Sequence, residues 1–176
     1  MKRLLSAVIV VLALSSILPS FAVADGPVNL SLFNPIQIVK EDQAVTAFRF
    51  SLIYGVNTDL TGLDLSLVGI NKGDVMGVQW AGVGITEGTF TGWQSGWLAS
   101  ITRGEFTGLQ TGLYTNAGGG SGVQLGWINT AEEFSGLQFG FVNITNTMTS
   151  GLQIGLVNII KNKEKLKFFP IVNWKF

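Results

Sequence analysis

The feature that most constrains this chain is a phrase of eight residues that returns about every fifteen residues. Each copy begins with glycine, and "GVQLGWIN", "GLQFGFVN" and "GLQIGLVN" follow one another near the end of the sequence. The glycines that begin the copies are Gly62, Gly77, Gly92, Gly108, Gly122, Gly136 and Gly151. A spacing of 14 to 16 residues indicates a repeat architecture, in which each unit buries its surface against its neighbours.

Within each copy, apolar and polar residues alternate with a period of two. Leu152 and Ile154 fall on one side of the alternation, whereas Gln153 and Gly155 fall on the other. Successive side chains of a strand point to opposite faces, so the pattern predicts strands. A helix is disfavoured, because glycine at every fourth position would destabilise it. The segments between copies, such as "NKGD" and "TRGE", have the composition of turns.

One strand and one turn per unit predict up-and-down antiparallel pairing, and further strands precede and follow the clear copies. We therefore expect an all-β fold, an antiparallel up-and-down β-barrel of about ten strands. The alternative is a narrow β-solenoid with one coil per unit. The uneven spacing and the concentration of charge in every second turn favour the barrel. Pro35 and Pro170 stand in the terminal strands and speak against full closure, because proline is expected at sheet edges.

The first residues have the pattern of an export signal. Lys2 and Arg3 precede a short apolar run, and Ala22-Val23-Ala24 matches a small-x-small cleavage site. Residues 1–24 are therefore predicted to be a signal peptide, and 25–176 a single β-repeat domain. The chain has no cysteine, so an exported product would hold together without disulfides.

The orientation of the two faces decides where such a barrel resides. All the tryptophans fall on the apolar face, which a small soluble barrel would have difficulty packing inside, so this face is expected to meet lipid. The predicted lipid-facing aromatics are Trp80, Trp93, Trp97, Trp127, Trp174 and Phe176. The predicted lumen-facing row is Asp64, Gln79, Gln94, Gln110, Gln124, Gln138 and Gln153. This row is either a structural hydrogen-bond network or the lining of a pore.

The tandem Gly-Leu-Gln-x-Gly-Leu-Val-Asn units between Gly62 and Asn158, with "FFPIVNW" at Phe168–Trp174, resemble the bacterial surface-repeat protein family. The terminal aromatic strand is similar to the assembly signal of outer-membrane barrels. The resemblance implies a location in the outer membrane or at the cell surface and supplies no catalytic residue. The early units depart from the pattern, since Asp64 replaces Gln and Ser66 replaces Gly.

The predicted function is a structural or interaction role at the outer membrane or cell surface, without catalysis, cofactor or metal. No histidine is present, and Glu132 and Glu133 are adjacent carboxylates rather than a pair across a cleft. The chain has no basic patch for nucleic acid. The expected partners are outer-membrane lipid and the barrel assembly machinery. The alternatives are a narrow channel with the same barrel fold and a soluble periplasmic binding module that takes an apolar ligand.

Overall fold

The computed structural model describes residues 25–176 as a β-solenoid of about nine turns with mostly parallel strands. The predicted signal peptide, residues 1–24, lies outside the described residues. The strands are β1 (Gly26–Phe33), β2 (Ile36–Gln37), β3 (Val45–Asn57), β4 (Leu60–Asn71), β5 (Val75–Thr86), β6 (Phe90–Phe139), β7 (Val142–Ile160) and β8 (Phe168–Lys175). Strand β6 is 50 residues long because its backbone stays hydrogen-bonded through several successive coils. Within residues 25–176, no helix is long and apolar enough to cross a bilayer.

The antiparallel barrel predicted from the repeat is wrong. The single sheet has the order β2-β1-β3-β4-β5-β6-β7-β8, and every neighbouring pair from β1–β3 to β6–β7 is parallel. Each repeat unit is one complete coil, so residues at the same position of successive units become neighbours. Gly62, Gly77 and Gly92 pair in this way. The observed fold is the narrow solenoid with one coil per unit, which was the alternative to the barrel.

Each coil has two arms that meet at a corner, and this explains why one unit returns to its starting edge. In the best-defined example the strand is interrupted at Gly140 and Phe141, between β6 and β7. A short second arm, residues 142–145 in this coil, then leads back to the turn. In the barrel prediction the start of this arm belonged to the end of the strand phrase, as Val142 and Asn143 do in "GLQFGFVN", and the rest was assigned to the turn.

The row predicted to face a lumen is enclosed inside the solenoid, and every member is fully buried. From Gln79 onward, each side-chain amide donates from Nε2 to the acceptor oxygen of the preceding row member, at 2.6 to 2.9 Å. The row ends on Asp64, whose carboxylate accepts hydrogen bonds from Arg49 Nε at 2.9 Å and Arg49 Nη2 at 2.6 Å. In-register parallel stacking makes this possible, because it brings identical amides within bonding reach.

Apolar side chains fill the interior beside the turns. Val45, Leu60, Val75 and Phe90 stack on one another in consecutive coils, and Phe106 continues the stack with its ring 6.0 Å from that of Phe90. All of these side chains are buried. Burial of such side chains contributes about 1.5–3 kcal/mol each, so this stack supplies the apolar part of the core.

The glycine that begins each unit is required by the backbone. Gly92 has a φ of 131°, and a Cβ there would lie 2.0 Å from the carbonyl oxygen of Gly77 in the preceding coil. Any other residue would therefore combine a disfavoured backbone conformation with a clash against main chain.

Both ends of the solenoid are closed by antiparallel strands. β2 pairs antiparallel with β1 at one end, and β8 pairs antiparallel with β7 at the other. Pro35 lies between β1 and β2, and Pro170 lies within β8. Short or proline-containing edge strands discourage pairing with another chain, so these caps protect the parallel stack.

The charged turns lie along one edge, which we call the charged edge. Lys72 and Glu87 follow positions that pair between coils, Arg103 Nη1 lies 2.8 Å from Glu87 Oε2, and Lys72 Nζ lies 3.4 Å from Glu41 Oε1. In a barrel, the charged turns would lie at one end and the uncharged turns at the other. The solenoid has no such separation. One coil per unit places every turn on the same side of the molecule.

Candidate binding surface

The outward face of the coils is largely apolar, on both arms. In the coil that contains Gly140, Leu137 and Phe139 point outward from the first arm, and Phe141, Val142 and Ile144 from the second. We call these outward apolar positions, taken over all coils, the apolar wedge. Since both arms contribute, the wedge wraps around the corner between them, with polar interruptions such as Ser95, Thr111 and Thr130.

The aromatics that were predicted to face lipid all lie on the outside. Trp97 is 66% exposed and Trp127 is 62% exposed, the largest values among the tryptophans. The remaining predicted members, Trp80, Trp93, Trp174 and Phe176, are also exposed. An exposed apolar surface of this extent is rare on a soluble monomer and marks an interaction site.

A groove of about 660 Å³ follows the corner along the C-terminal coils, and we call it the corner groove. Its floor is glycine and its walls are apolar side chains: Gly112, Gly126, Gly140 and Gly155, with Trp97, Leu113, Leu125, Trp127, Phe139, Phe141, Ile154, Leu156 and Ile171. None of these residues is charged. A Cβ on Gly140 would lie 1.9 Å from the carbonyl oxygen of Gly126, so close stacking of the coils keeps the floor free of side chains.

The ridge beside the groove is held by aromatic packing. The rings of Trp127 and Phe141 meet edge to face with centroids 5.2 Å apart. Sequence reasoning named Trp127 but missed Phe141, Leu156 and Ile171, which line the same groove. From Gln94 onward, the residue three positions after each glutamine of the buried row is apolar, and this recurrence was the signal available for Phe141 and Leu156.

The C-terminal end of the solenoid combines lysines with exposed aromatics, and we call it the basic cap. Its members are Lys161, Lys163, Lys165, Lys167, Lys175, Phe168, Phe169, Trp174 and Phe176. Lys163 Nζ lies 2.8 Å from Asn173 Oδ1 and 5.1 Å from the ring centroid of Trp174. Ile171 pairs with Gly155 at the corner, so β8 connects the lysines on the charged-edge side with the corner groove.

The polar groups of the solenoid are either enclosed or spread along the charged edge. Asp64 and Arg49 are fully buried against each other. On the charged edge, a hydrogen bond from Asn34 and then the ammonium of Lys72 lower the pKa of the Glu41 carboxyl below its ordinary value. Within residues 25–176, no three acidic side chains are grouped as they would be to hold a metal ion.

Glu132 and Glu133 lie on the charged edge and form separate hydrogen bonds. Glu132 accepts from the side chain of Asn146, and Glu133 accepts from Thr149 Oγ1 at 3.4 Å. Comparison with known proteins finds no matching family model, curated protein or solved structure. A function must therefore be inferred from the geometry of the surface, which offers apolar contact along the wedge and the groove.

Proposed function

We propose that this chain is an exported protein of the bacterial outer membrane or cell surface that binds through its apolar wedge and carries out no catalysis. The observation that supports this most is the apolar surface on both arms of the coil. Water contact with so many large apolar side chains is unfavourable by about 25 cal/mol for each Å² exposed. A binding partner that covers the wedge removes this penalty.

The enclosed polar row supports a binding role over a transport role. The channel alternative required a barrel lumen lined by amides such as Gln110 and Gln124. These side chains instead fill the solenoid interior and hydrogen-bond to each other at 2.8 Å. The expectation of a barrel assembly partner rested on the same barrel, so neither is retained in the proposal.

Cell fractionation with paired variants tests the proposal. Trp127→Asp places a charge on the most prominent ridge of the wedge, and Thr107→Asp places the same charge on an exposed polar position of another coil. We expect the wild type and Thr107→Asp to remain with the envelope fraction, whereas Trp127→Asp moves to the soluble fraction. An identical distribution of the two variants, both folded by circular dichroism, contradicts the proposal.

The corner groove supports a second candidate, a soluble periplasmic module that carries a detached apolar ligand. Its volume of about 660 Å³ lies within the range of small-molecule sites. This candidate predicts that the wild type is released with the soluble periplasmic contents. Extraction of the purified protein with organic solvent, followed by mass spectrometry, would then recover the ligand.

A further inference from the structure

We propose that the apolar wedge of the C-terminal coils inserts into one leaflet of an anionic lipid bilayer, while the charged edge remains in water. This inference rests on the proposed function and names the partner of the same surface. It follows from the shape of the wedge, the internal hydrogen bonding of the coils and the position of the basic cap.

The shape of the wedge favours a fluid partner. Outward apolar side chains stand on both sides of the corner, as Leu98 and Ile128 do on the second arm and Trp93 on the first, each at least 43% exposed. A single rigid partner covers one side of such a convex surface. Lipid chains flow around both sides, so a leaflet covers both arms of the wedge at once.

The solenoid also satisfies the main condition for entry into lipid. Each backbone polar group that enters a bilayer must be hydrogen-bonded within the protein, because hydrocarbon offers no partner. Consecutive coils pair through continuous parallel ladders, and strand β8 pairs with β7 at the C-terminal end of the stack. The coils up to β7 therefore present side chains rather than open backbone to the acyl region, and at this end of the described chain only the outer edge of β8 is unpaired.

The dimensions place the charged edge at the right level. The second arm of residues 142–145, with the turn beyond it, spans about 15 Å at ~3.3 Å per residue. Interfacial protein segments bury their apolar face about 5–10 Å below the headgroup boundary. A corner at that depth leaves the charged edge among the headgroups and water, where exposed Glu and Lys side chains stay solvated.

The basic cap favours anionic lipid and makes the C-terminal coils the part of the solenoid that inserts. Five lysines with one glutamate, Glu164, stand between Lys161 and Lys175, and they lie on the charged-edge side of the last coil, at the level of the headgroups. Phe168 and Trp174 are exposed beside them. Lysine with exposed aromatic side chains is the combination that anionic headgroups attract at a membrane surface.

Vesicle flotation of the full-length chain tests the proposal, with phosphatidylcholine alone and with phosphatidylcholine mixed with phosphatidylglycerol. We expect flotation with the mixed vesicles, a blue shift of tryptophan emission, and quenching by lipids brominated in the acyl chain. Trp127→Asp should lower partitioning by at least about tenfold, and Thr107→Asp should leave it unchanged. Every variant carries residues 1–24, so their contribution is common to all.

Two lysine variants test the charge argument separately. Lys165→Gln and Lys167→Gln should each lower partitioning into the mixed vesicles by about fivefold and leave phosphatidylcholine binding unchanged. Equal loss on both vesicle types overturns the role of the basic cap. Equal partitioning of Trp127→Asp and wild type overturns insertion of the wedge.

Sedimentation velocity separates failure of this inference from failure of the proposed function. A folded wild type that does not float, but forms a dimer that Trp127→Asp dissociates, overturns the lipid proposal and identifies a second copy as the occupant of the wedge. A monomer that does not float, and whose cellular distribution is unaffected by Trp127→Asp, overturns both.

Discussion

The N-terminal and C-terminal coils fill the same cross-section in two different ways. The second arm has two inward positions in each coil. In an N-terminal coil they hold Gly69 and Asn71, whereas in a C-terminal coil they hold Asn129 and Ala131. The exchange is gradual along the chain: Gly84 and Thr86, then Ser100 and Thr102, then Thr115 and Ala117. From the coil of Gly69 to that of Asn129 the larger residue thus moves from the second inward position to the first, and the last two coils hold the larger pairs Asn143 with Thr145 and Asn158 with Ile160.

The difference connects the interior with the outer surface. Asn129, Asn143 and Asn158 form a second amide ladder, with Nδ2 to Oδ1 distances of 2.8 and 2.7 Å. Asn129 Nδ2 would lie 2.5 Å from a Cβ on Gly140, so this ladder requires glycine at the corner. In the N-terminal coils, where the ladder is absent, the corner positions hold Ser66 and Ala81. At Gly126, Gly140 and Gly155 the floor of the corner groove is therefore the outer side of the asparagine ladder, whereas Gly112 meets only backbone of neighbouring residues.

The two regions also differ in how many buried polar side-chain atoms lack a hydrogen-bond partner. Within residues 25–176, five buried side-chain atoms have no hydrogen-bond partner, and four of them belong to the N-terminal coils: those of Ser51, Asn71 and Thr86. Each such group costs about 1–3 kcal/mol. The N-terminal coils depend instead on the buried ion pair of Arg49 and Asp64.

The largest expected effect concerns that ion pair. Arg49→Met leaves the Asp64 carboxylate buried without its cation, and we expect a loss of about 3–5 kcal/mol in the free energy of unfolding, measured with urea. The double variant Arg49→Met with Asp64→Gln should recover more than half of this loss, because glutamine at position 64 continues the row. A double variant that is as unstable as Arg49→Met would show that the buried row does not accept a glutamine side chain at position 64.

A matched asparagine pair tests the contrast between the ladders. Asn143→Ala removes bonds to Asn158 Oδ1 and to the carbonyl of Ile154, and it takes from Asn129 Nδ2 its side-chain acceptor, which leaves the carbonyls of Phe139 and Gly126. We expect a cost of about 2–4 kcal/mol in urea denaturation. Asn71→Ala removes no hydrogen bond and should cost less than about 1 kcal/mol. Equal costs would remove the distinction drawn between the two regions.

A matched threonine pair gives a smaller effect of opposite sign. Thr145 Oγ1 lies 2.7 Å from Gln138 Oε1, whereas Thr86 Oγ1 has no partner. Thr145→Val should destabilise the protein by about 1–2 kcal/mol, and Thr86→Val should stabilise it by up to about 1 kcal/mol. Thermal unfolding of both variants measures the difference, and destabilisation by Thr86→Val would contradict it.

The smallest effect is the pH response of the exposed N-terminal end. The pKa of Glu41 is lowered first by the Asn34 hydrogen bond and then by Lys72. Its lowered folded pKa means that its contribution to stability is present above the ordinary glutamate pKa and is lost as pH falls through the folded value. Asn34→Ala and Lys72→Met should each raise the Glu41 pKa, as measured by NMR titration. A Glu41 pKa that is unchanged in Asn34→Ala would contradict this assignment of causes.

The sequence was sufficient to predict strands, the alternation of their two faces and the repeat unit of about fifteen residues. It was insufficient for the pairing direction, because the alternation around Gln153 is the same in an antiparallel barrel and in a coil. The short second arm, such as residues 83–86, has too few residues to be distinguished from a turn by periodicity. Asn129, Asn143 and Asn158 occupy the same position of successive units. This recurrence was the signal for parallel pairing, since identical amides bond best in parallel register.

The candidate surface was partly predictable for a related reason. The exposure of Trp97 and Trp127 follows from alternation alone, whichever way the strands pair. The corner groove depends on Gly126 and Gly140 lying directly above one another, and that adjacency exists only once coils stack. The orientation of the row could not be deduced either, because the same amides fill a lumen in one fold and a closed interior in the other.

The independent closure of the two ends has a consequence for how such a gene can change. β2 pairs with β1 and its Gln37 side chain bonds to Val56 of β3, whereas β8 pairs with β7, so each cap is held by the coils at its own end. Duplication or deletion of one unit of about fifteen codons would therefore lengthen or shorten the molecule by one strand spacing, about 4.8 Å, without disturbing its termini. Recombination between similar repeat units would therefore change the length of the solenoid by one coil at a time.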